Sequence, residues 1–136
     1  MKGIICLSGG FDPVHVGHLR MLFDASRFGT VCVILNSDAW LKRKKGYVFM
    51  PWVQRREILL GFRPVSSVVD VDDRDGTVCE ALRRLHPDYF GNGGDRTQAN
   101  TPELALCKEL GIETLFGLGG GKIASSSELV RKLVAV

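Results

Sequence analysis

Two kinds of hydrophobic pattern alternate along this chain. Short continuous apolar runs, rich in Val and Ile and bounded by Gly, Asn, Asp or Pro, predict strands that are buried on both faces. They cover residues 3–7, 31–35, 68–71, 89–90 and 114–116. Between them, apolar residues recur at helical spacing over residues 18–28, 51–62, 78–86, 101–111 and 125–136. Because strands and helices alternate, we predict an α/β fold with a five-stranded parallel sheet and helices on both faces.

The ends of the helical segments carry recognisable residues. Pro51 suits a first helical turn, and Gly61 and Gly111 stand where helices are expected to end. Thr77 and Thr101 are candidate caps for the third and fourth helices. Residues 37–50 and 92–100 lack periodicity and are predicted to be loops.

Length and composition limit the possible classes. A chain of 136 residues with 45% hydrophobic residues supports one domain with a core, so we assign residues 1–136 to a single Rossmann-like domain. No apolar run approaches the roughly 20 residues of a membrane helix, and no signal peptide is visible, which predicts a cytoplasmic protein without a membrane partner. A net charge of +3 is too small to indicate nucleic-acid binding, although it fits a site for small anions. The scattered cysteines, without a CxxC pair, are expected to be reduced and buried; they are Cys6, Cys32, Cys79 and Cys107.

Four unusual segments follow predicted strands: residues 9–18, 36–45, 91–96 and 119–127. In parallel α/β folds, ligands bind beyond the carboxyl ends of the strands, so these segments are expected to meet at one crevice. The first contains "HVGH", with His15 and His18 flanking Val16 and Gly17 at the entrance to a helix. A helix N-terminus and two imidazoles suit phosphate oxygens, and Gly17 allows close approach to backbone. The GxGxxG of a dinucleotide site is absent, and zinc would need more ligands than these two histidines; surface histidines without a role are the remaining alternative.

These residues carry a resemblance to a known family. "GGFDPVHVGH" resembles the (T/G)xFDxxHxGH signature of the cytidylyltransferase-like nucleotidyltransferase superfamily. "NSDAWLKRKKG", "QRREILL", "PDYFGNGGDR" and "SSSELVRK" are similar to later elements of that family, in the expected order. The spacing is most similar to the domain that adenylylates heptose 1-phosphate, and next to glycerol-3-phosphate cytidylyltransferase.

The resemblance implies transfer of a nucleotidyl group from a nucleoside triphosphate, ATP favoured, to a phosphorylated sugar or polyol, with release of pyrophosphate. The acceptor phosphate is already ionised, so catalysis reduces to alignment and charge stabilisation. Mg²⁺ would accompany the nucleotide without a metal site of the protein's own. Family members commonly pair through the HxGH region, which implies a homodimer.

The residues expected to act fall into three groups. Those expected to be catalytic are His15, His18, Lys45 and Arg55, with Arg55 forking onto phosphate oxygens. Those expected to bind nucleotide are Gly9, Gly10, Phe11, His15, Gly17, His18, Gly94, Asp95, Ser125, Ser126 and Ser127. Those expected to bind the acceptor are Asp12, Asn36, Lys44, Lys45 and Arg96.

Each group has a plainer interpretation. The lysines of "KRKK" also suit a solvated loop, the arginines a helix surface, and the serines a simple cap. Asp95 also suits a turn, and Asp12 suits a brace within its loop. Trp40 and Trp52 are expected to pack.

The chain departs from the family pattern where base and acceptor are recognised. Lys122 stands near the place of an expected arginine, but it cannot bind two oxygens in a planar fork. Ala124 replaces an isoleucine, Gly91 or Asn92 a lysine, and Arg96 an aromatic residue. Two alternatives therefore stay open: a cytidylyltransferase for glycerol 3-phosphate or a similar alcohol phosphate, and a nucleotide-binding regulator without turnover.

Overall fold

The sheet is built around its first strand. In a computed structural model that describes residues 3–94, 96–120 and 130, the chain runs through eleven elements. They are β1 (Gly3–Gly9), α1 (Val16–Ala25), β2 (Gly29–Leu35), α2 (Asp38–Lys45), α3 (Trp52–Leu60), β3 (Val65–Val69), α4 (Cys79–Leu85), β4 (Tyr89–Gly91), a 3₁₀ turn (Gln98–Asn100), α5 (Leu104–Leu110) and β5 (Glu113–Leu115).

All the strand pairs of this sheet are parallel, in the order β3-β2-β1-β4-β5. The predicted five-stranded parallel sheet is confirmed. β2 and β4 lie on opposite sides of β1, so the direction in which successive strands are added changes at β1. A parallel sheet with such a reversal opens a crevice at the carboxyl ends of the strands concerned. The strand order therefore predicts a ligand site beyond Gly9 and Gly91.

Alternate residues of β1 pack into two separate hydrophobic cores, one on each face of the sheet. Ile5 and Leu7 pack with Leu22 of α1 and Leu59 of α3 on one face. Cys6 packs on the other face, in the cluster that includes residues of α4 and α5. Helices thus cover both faces of the sheet, as the continuous apolar runs predict. All four cysteines are free thiols, and Cys79 is the one that is only partly buried.

Helix α2 occupies a stretch that the sequence predicts to be a loop. Ser37 caps it, because its Oγ accepts a hydrogen bond from the Trp40 N–H at 3.0 Å. Asp38 in the first turn and the four cations of residues 42–45 in the last turn complement the helix dipole. Gly46 ends the helix with φ +86°. Only Leu41 is buried, so hydrophobic periodicity carries no signal here.

The capping predictions for α4 and α5 need correction. The helix α4 begins after Val78, whose N–H is bonded to Glu103 Oε2 at 3.0 Å, while Thr77 Oγ1 receives a long 3.3 Å bond from the Cys79 N–H. The helix α5 begins after Glu103, and Thr101 contributes its carbonyl oxygen to the Leu104 N–H rather than a side-chain cap. The predicted helix over residues 125–136 lies outside the described residues, Val130 excepted. Within the part of the chain that the structure describes, no helix has both the length and the apolar character needed to cross a bilayer.

Candidate nucleotide site

Two histidines cap the N-terminus of α1 reciprocally. His15 Nδ1 accepts a hydrogen bond from the Gly17 N–H at 3.1 Å, and His18 Nδ1 accepts one from the His15 N–H at 3.2 Å. A backbone N–H can only donate, so neither Nδ1 carries a proton in this arrangement. The proton of each neutral imidazole then lies on Nε2, which becomes the donor. The capping pattern thereby selects the tautomer that a phosphate oxygen requires.

A stack of rings fixes the orientation of these imidazoles. The His15 and His18 rings lie 3.8 Å apart between centroids and 18° from parallel, and His18 contacts the Phe11 ring at 4.6 Å. Phe11 is only 3% exposed and belongs to the core. The Phe11 ring supports His18 from the interior, and the prediction that Phe11 binds nucleotide stays a prediction.

The loops after β4 and β5 both reach the helix α1. A Cβ atom at Gly93 would lie 3.3 Å from Met21 Sδ, and one at Gly119 would lie 2.7 Å from the Met21 backbone nitrogen. The Gly119 N–H also donates to Asp24 Oδ2 at 2.9 Å. Both loops therefore contact the second half of α1, and the predicted meeting of all four segments at one crevice stays a prediction.

The last turn of α2 presents its lysines in different settings. Lys44 is exposed and its Nζ lies 4.7 Å over the Trp40 ring, a cation–π contact. Lys45 is half-buried. Burial lowers the pKa of the Lys45 ammonium, Asp12 opposes that by raising it, and the neighbouring cations Lys44 and Arg55 lower it further. The Lys45 ammonium has lost part of its hydration and lies near one carboxylate and two other cations. An incoming anion would favour its charged form.

The Arg55 guanidinium bonds to other parts of the chain, and its predicted contact with phosphate stays a prediction. Its side chain is 0% exposed. Nη1 donates to the carbonyl oxygens of Gly10 and Asn36 at 2.8 and 2.9 Å. Nε donates to the Met50 carbonyl at 2.9 Å, and Nη2 contacts Asp38 Oδ1 at 2.7 Å. A phosphate that bound through Nη1 or Nε would have to displace these bonds.

Two predicted acceptor-binding residues also prove to be braces. Asp12 is 0% exposed and its carboxylate accepts from the Phe49 and Met50 N–H groups, both at 2.7 Å. Asn36 is 3% exposed and donates from Nδ2 to Asp73 Oδ2 at 3.0 Å. These bonds serve neighbouring loops, and acceptor binding by either residue stays a prediction. For Asp12 this matches the bracing alternative.

Sequence reasoning missed Asp73 altogether. Its carboxylate is 3% exposed and accepts from the Ser37 N–H at 2.8 Å and from Ser37 Oγ at 2.7 Å, as well as from Asn36. Asp73 lies in the segment after β3, and its bonds to Asn36 and Ser37 fix the start of α2 to that segment. Nothing in the acidic run over residues 70–75 distinguishes this one carboxylate from its exposed neighbours.

The loop after β4 holds the remaining predicted residues that the structure describes. Gly94 is exposed in a turn. The Arg96 side chain is 33% exposed, and its Nη1 lies 3.7 Å from Oε1 of the buried Glu103. Asp95, Lys122, Ala124, Ser125, Ser126 and Ser127 lie outside the described residues.

Comparison with known proteins agrees with this geometry. The model of the family described as cytidylyltransferase-like matches residues 6–115. The chain belongs to the cytidylyltransferase-like family. This membership confirms the resemblance drawn from the HxGH loop and makes the domain a nucleotidyltransferase by family.

Three similar proteins illustrate the range of this family. The bifunctional protein HldE of Streptomyces coelicolor is 35% identical over 116 residues, which are 83% of this chain and 25% of that protein. The FAD synthase of Ferroglobus placidus is 28% identical over 71% of this chain and 61% of its own length. The structure of a lipopolysaccharide core biosynthesis protein from Thermoplasma volcanium has a TM-score of 0.69 and 18% identity over 83% of this chain and 93% of its own, which shows the shared fold. This chain spans about a quarter of the HldE proteins that it matches.

Proposed function

We propose that this domain transfers a nucleotidyl group, from ATP by preference, to a phosphorylated sugar or polyol. Heptose 1-phosphate is the first acceptor to test, because the spacing of the sequence elements resembles that adenylyltransferase domain. An ionised oxygen of the acceptor phosphate attacks the α-phosphorus, and the bond from the α-phosphorus to its bridging oxygen breaks. Pyrophosphate leaves with the electrons of that bond, so no general base is needed.

The histidine pair is the observation that carries this proposal. His15 and His18 accept backbone N–H groups through Nδ1, so each keeps a proton on Nε2 for a phosphate oxygen. The positive end of the α1 dipole adds to the attraction for an anion. Lys45 would lie against the α-phosphate or the acceptor phosphate, where a poorly hydrated ammonium offsets the negative charge of two approaching anions.

Mg²⁺ is proposed to arrive with the nucleotide. Among the described residues, no group of three or more His, Cys, Asp or Glu side chains is placed to hold an ion. The described donors of this crevice are imidazole N–H groups and the Lys45 ammonium, which suit phosphate oxygens. Mg²⁺ bound with the triphosphate would neutralise part of its charge. A cytoplasmic location is kept as an expectation, since buried reduced thiols are usual in reducing compartments.

A homodimer is proposed through α1, where the family resemblance places the contact. Val16 and Phe23 lie seven residues apart on this helix, and each is 46% exposed. A dimer would cover these side chains. Sedimentation of the protein and of Phe23→Glu tests this: a dimer that becomes a monomer supports it, and a monomeric parent contradicts it.

The activity is tested by pyrophosphate release from each of ATP, CTP, GTP and UTP with a set of sugar and polyol phosphates. Release with ATP and a sugar phosphate supports the proposal. Release with CTP and glycerol 3-phosphate would favour the cytidylyltransferase alternative. Thermal stabilisation by a nucleotide without release for any pair would favour the regulator.

A histidine variant separates capping from catalysis. Asn Oδ1 can replace Nδ1 of His18 as the acceptor for the His15 N–H, but Asn has no counterpart of Nε2. We expect His18→Asn to stay folded, with a melting temperature lowered only by the lost ring contacts with His15 and Phe11, and to lose about 10²–10³-fold in turnover, the usual cost of one preorganised donor. Turnover within threefold of the parent would remove His18 from the reaction.

A further inference from the structure

Arg55 joins three loops that approach the candidate site from different parts of the chain. Its two Nη1 protons are shared between the loop after β1, at the Gly10 carbonyl, and the loop after β2, at the Asn36 carbonyl. Its Nε proton goes to Met50, in the segment between α2 and α3. A single planar group thereby sets the distance between the histidine-bearing loop and the start of the lysine-bearing helix.

Other buried contacts run between the same segments. Asp12, in the histidine-bearing loop, accepts the Phe49 and Met50 N–H groups, and the Asn36 N–H donates to the Gly9 carbonyl at 3.0 Å. Arg55 is the member that touches all three segments. Lysine at this position could not replace it, because an ammonium lacks the fixed fork that reaches two carbonyl oxygens from one nitrogen and a third from Nε.

We propose that Arg55 is a positioning residue: it aligns the His15 and His18 loop with Lys45, so that nucleotide and acceptor phosphate meet in line. This role rests on the proposed transferase activity. Binding of the triphosphate rests on the histidine loop and on residues that Arg55 does not touch, whereas the reaction also needs Lys45 at a fixed separation from that loop. A misplacement of about 1 Å is enough to cost about 10²-fold in rate. Loss of Arg55 therefore affects the reaction more than nucleotide binding.

The variant Arg55→Lys tests this, with Arg56→Lys as its matched control because Arg56 is the exposed next residue on α3. Measured well below the melting temperature, Arg55→Lys is expected to lower kcat about 10²-fold and to change the ATP dissociation constant less than threefold. Arg56→Lys is expected to change neither. A kcat within threefold of the parent would overturn the proposal. A parallel loss in kcat and ATP affinity would also overturn it, because that result indicates direct nucleotide binding by Arg55.

Hydrogen exchange supplies a readout that does not depend on turnover. In Arg55→Lys, the amides of Asn36, Phe49 and Met50 are expected to exchange at least tenfold faster, while amides of β1 within the sheet stay protected. If the parent protein releases no pyrophosphate with any pair, the transferase proposal fails, and this exchange result alone decides whether Arg55 joins the loops. Unchanged exchange at all three amides overturns its positioning role.

If Arg55→Lys does not fold, Asp38→Ala takes its place. Asp38 is 47% exposed and contacts only Nη2, so its removal loosens the guanidinium without emptying the interior. The proposal requires Asp38→Ala to lower kcat at least tenfold while the ATP dissociation constant stays within threefold of the parent. Equal effects on both quantities, or none on either, contradict the proposal.

Discussion

The carboxylate of Asp12 offers a sharp test of how the site is held together. It is fully buried and accepts two backbone N–H groups at 2.7 Å, from Phe49 and Met50. In Asp12→Asn, the amide oxygen can accept from only one of them, and the amide NH₂ faces the other as a second donor. One charge-assisted bond is then lost, at about 1.5–3 kcal/mol, and the surviving bond loses its charge, at roughly 1 kcal/mol.

We therefore expect Asp12→Asn to lower the free energy of unfolding by about 2.5–4 kcal/mol. Urea unfolding followed by circular dichroism measures it, with the m-value checked for constancy. Asp70→Asn is the control, since that side chain is 81% exposed, and it is expected to stay within about 0.5 kcal/mol of the parent.

The same variant distinguishes the two roles considered for Asp12. If the Asp12 carboxylate braces the loop, Asp12→Asn lowers the free energy of unfolding. Loss of this carboxylate also lowers the pKa of Lys45 further, because Asp12 raises that pKa. If the Asp12 carboxylate instead binds the acceptor, Asp12→Asn would raise the KM for the acceptor and leave the free energy of unfolding unchanged. A stability loss below about 0.5 kcal/mol would refute the bracing argument.

Two further predictions follow from the loop after β5 and from Lys45. Gly119→Ala is expected to lose about 1–3 kcal/mol more unfolding free energy than Gly117→Ala in the same urea assay. Both glycines have φ near +80°, but only at Gly119 does a Cβ meet the Met21 backbone, and equal losses would contradict that contact. Lys45, read by NMR of ¹³C-methylated lysines, is expected to titrate below the usual lysine value. Its pKa should rise when ATP binds, because a nearby anion favours the charged form, and an unchanged pKa at saturation would place Lys45 outside the site.

Much of the fold follows from local pattern. The apolar runs that became β1 and β2 are buried on both faces, so they stand out from the polar loops beside them. The helix α2 could not be found in this way, because one buried leucine in eight residues gives no periodic stripe. Its signals were the Ser37 cap, the cationic last turn and Gly46, which are capping features rather than hydrophobic ones.

The candidate site was predictable where function depends on neighbours in the sequence. His15 and His18 are three residues apart, so their place at one helix end follows from the motif and the helical repeat. Charge suggested ligand binding for Arg55 and Asp12, whereas their burial depends on contacts between residues 5 to 45 positions apart. The bracing role of Asp73 could not be predicted for the same reason, since its partners lie 36 and 37 residues away in the sequence. Sequence identifies a charged residue, but only the fold decides whether its partner is a ligand or another loop.

The central claim is that a triphosphate binds against the Nε2–H groups of His15 and His18. Titration of ATP with Mg²⁺ into protein labelled with ¹⁵N-histidine tests it directly, with exposed His86 at the end of α4 as the internal reference. We predict that the Nε2 signals of His15 and His18 shift together and saturate, that their Nδ1 signals keep the shifts of unprotonated nitrogen, and that His86 does not move. Saturable ATP binding by calorimetry with His15 and His18 unchanged would contradict the account.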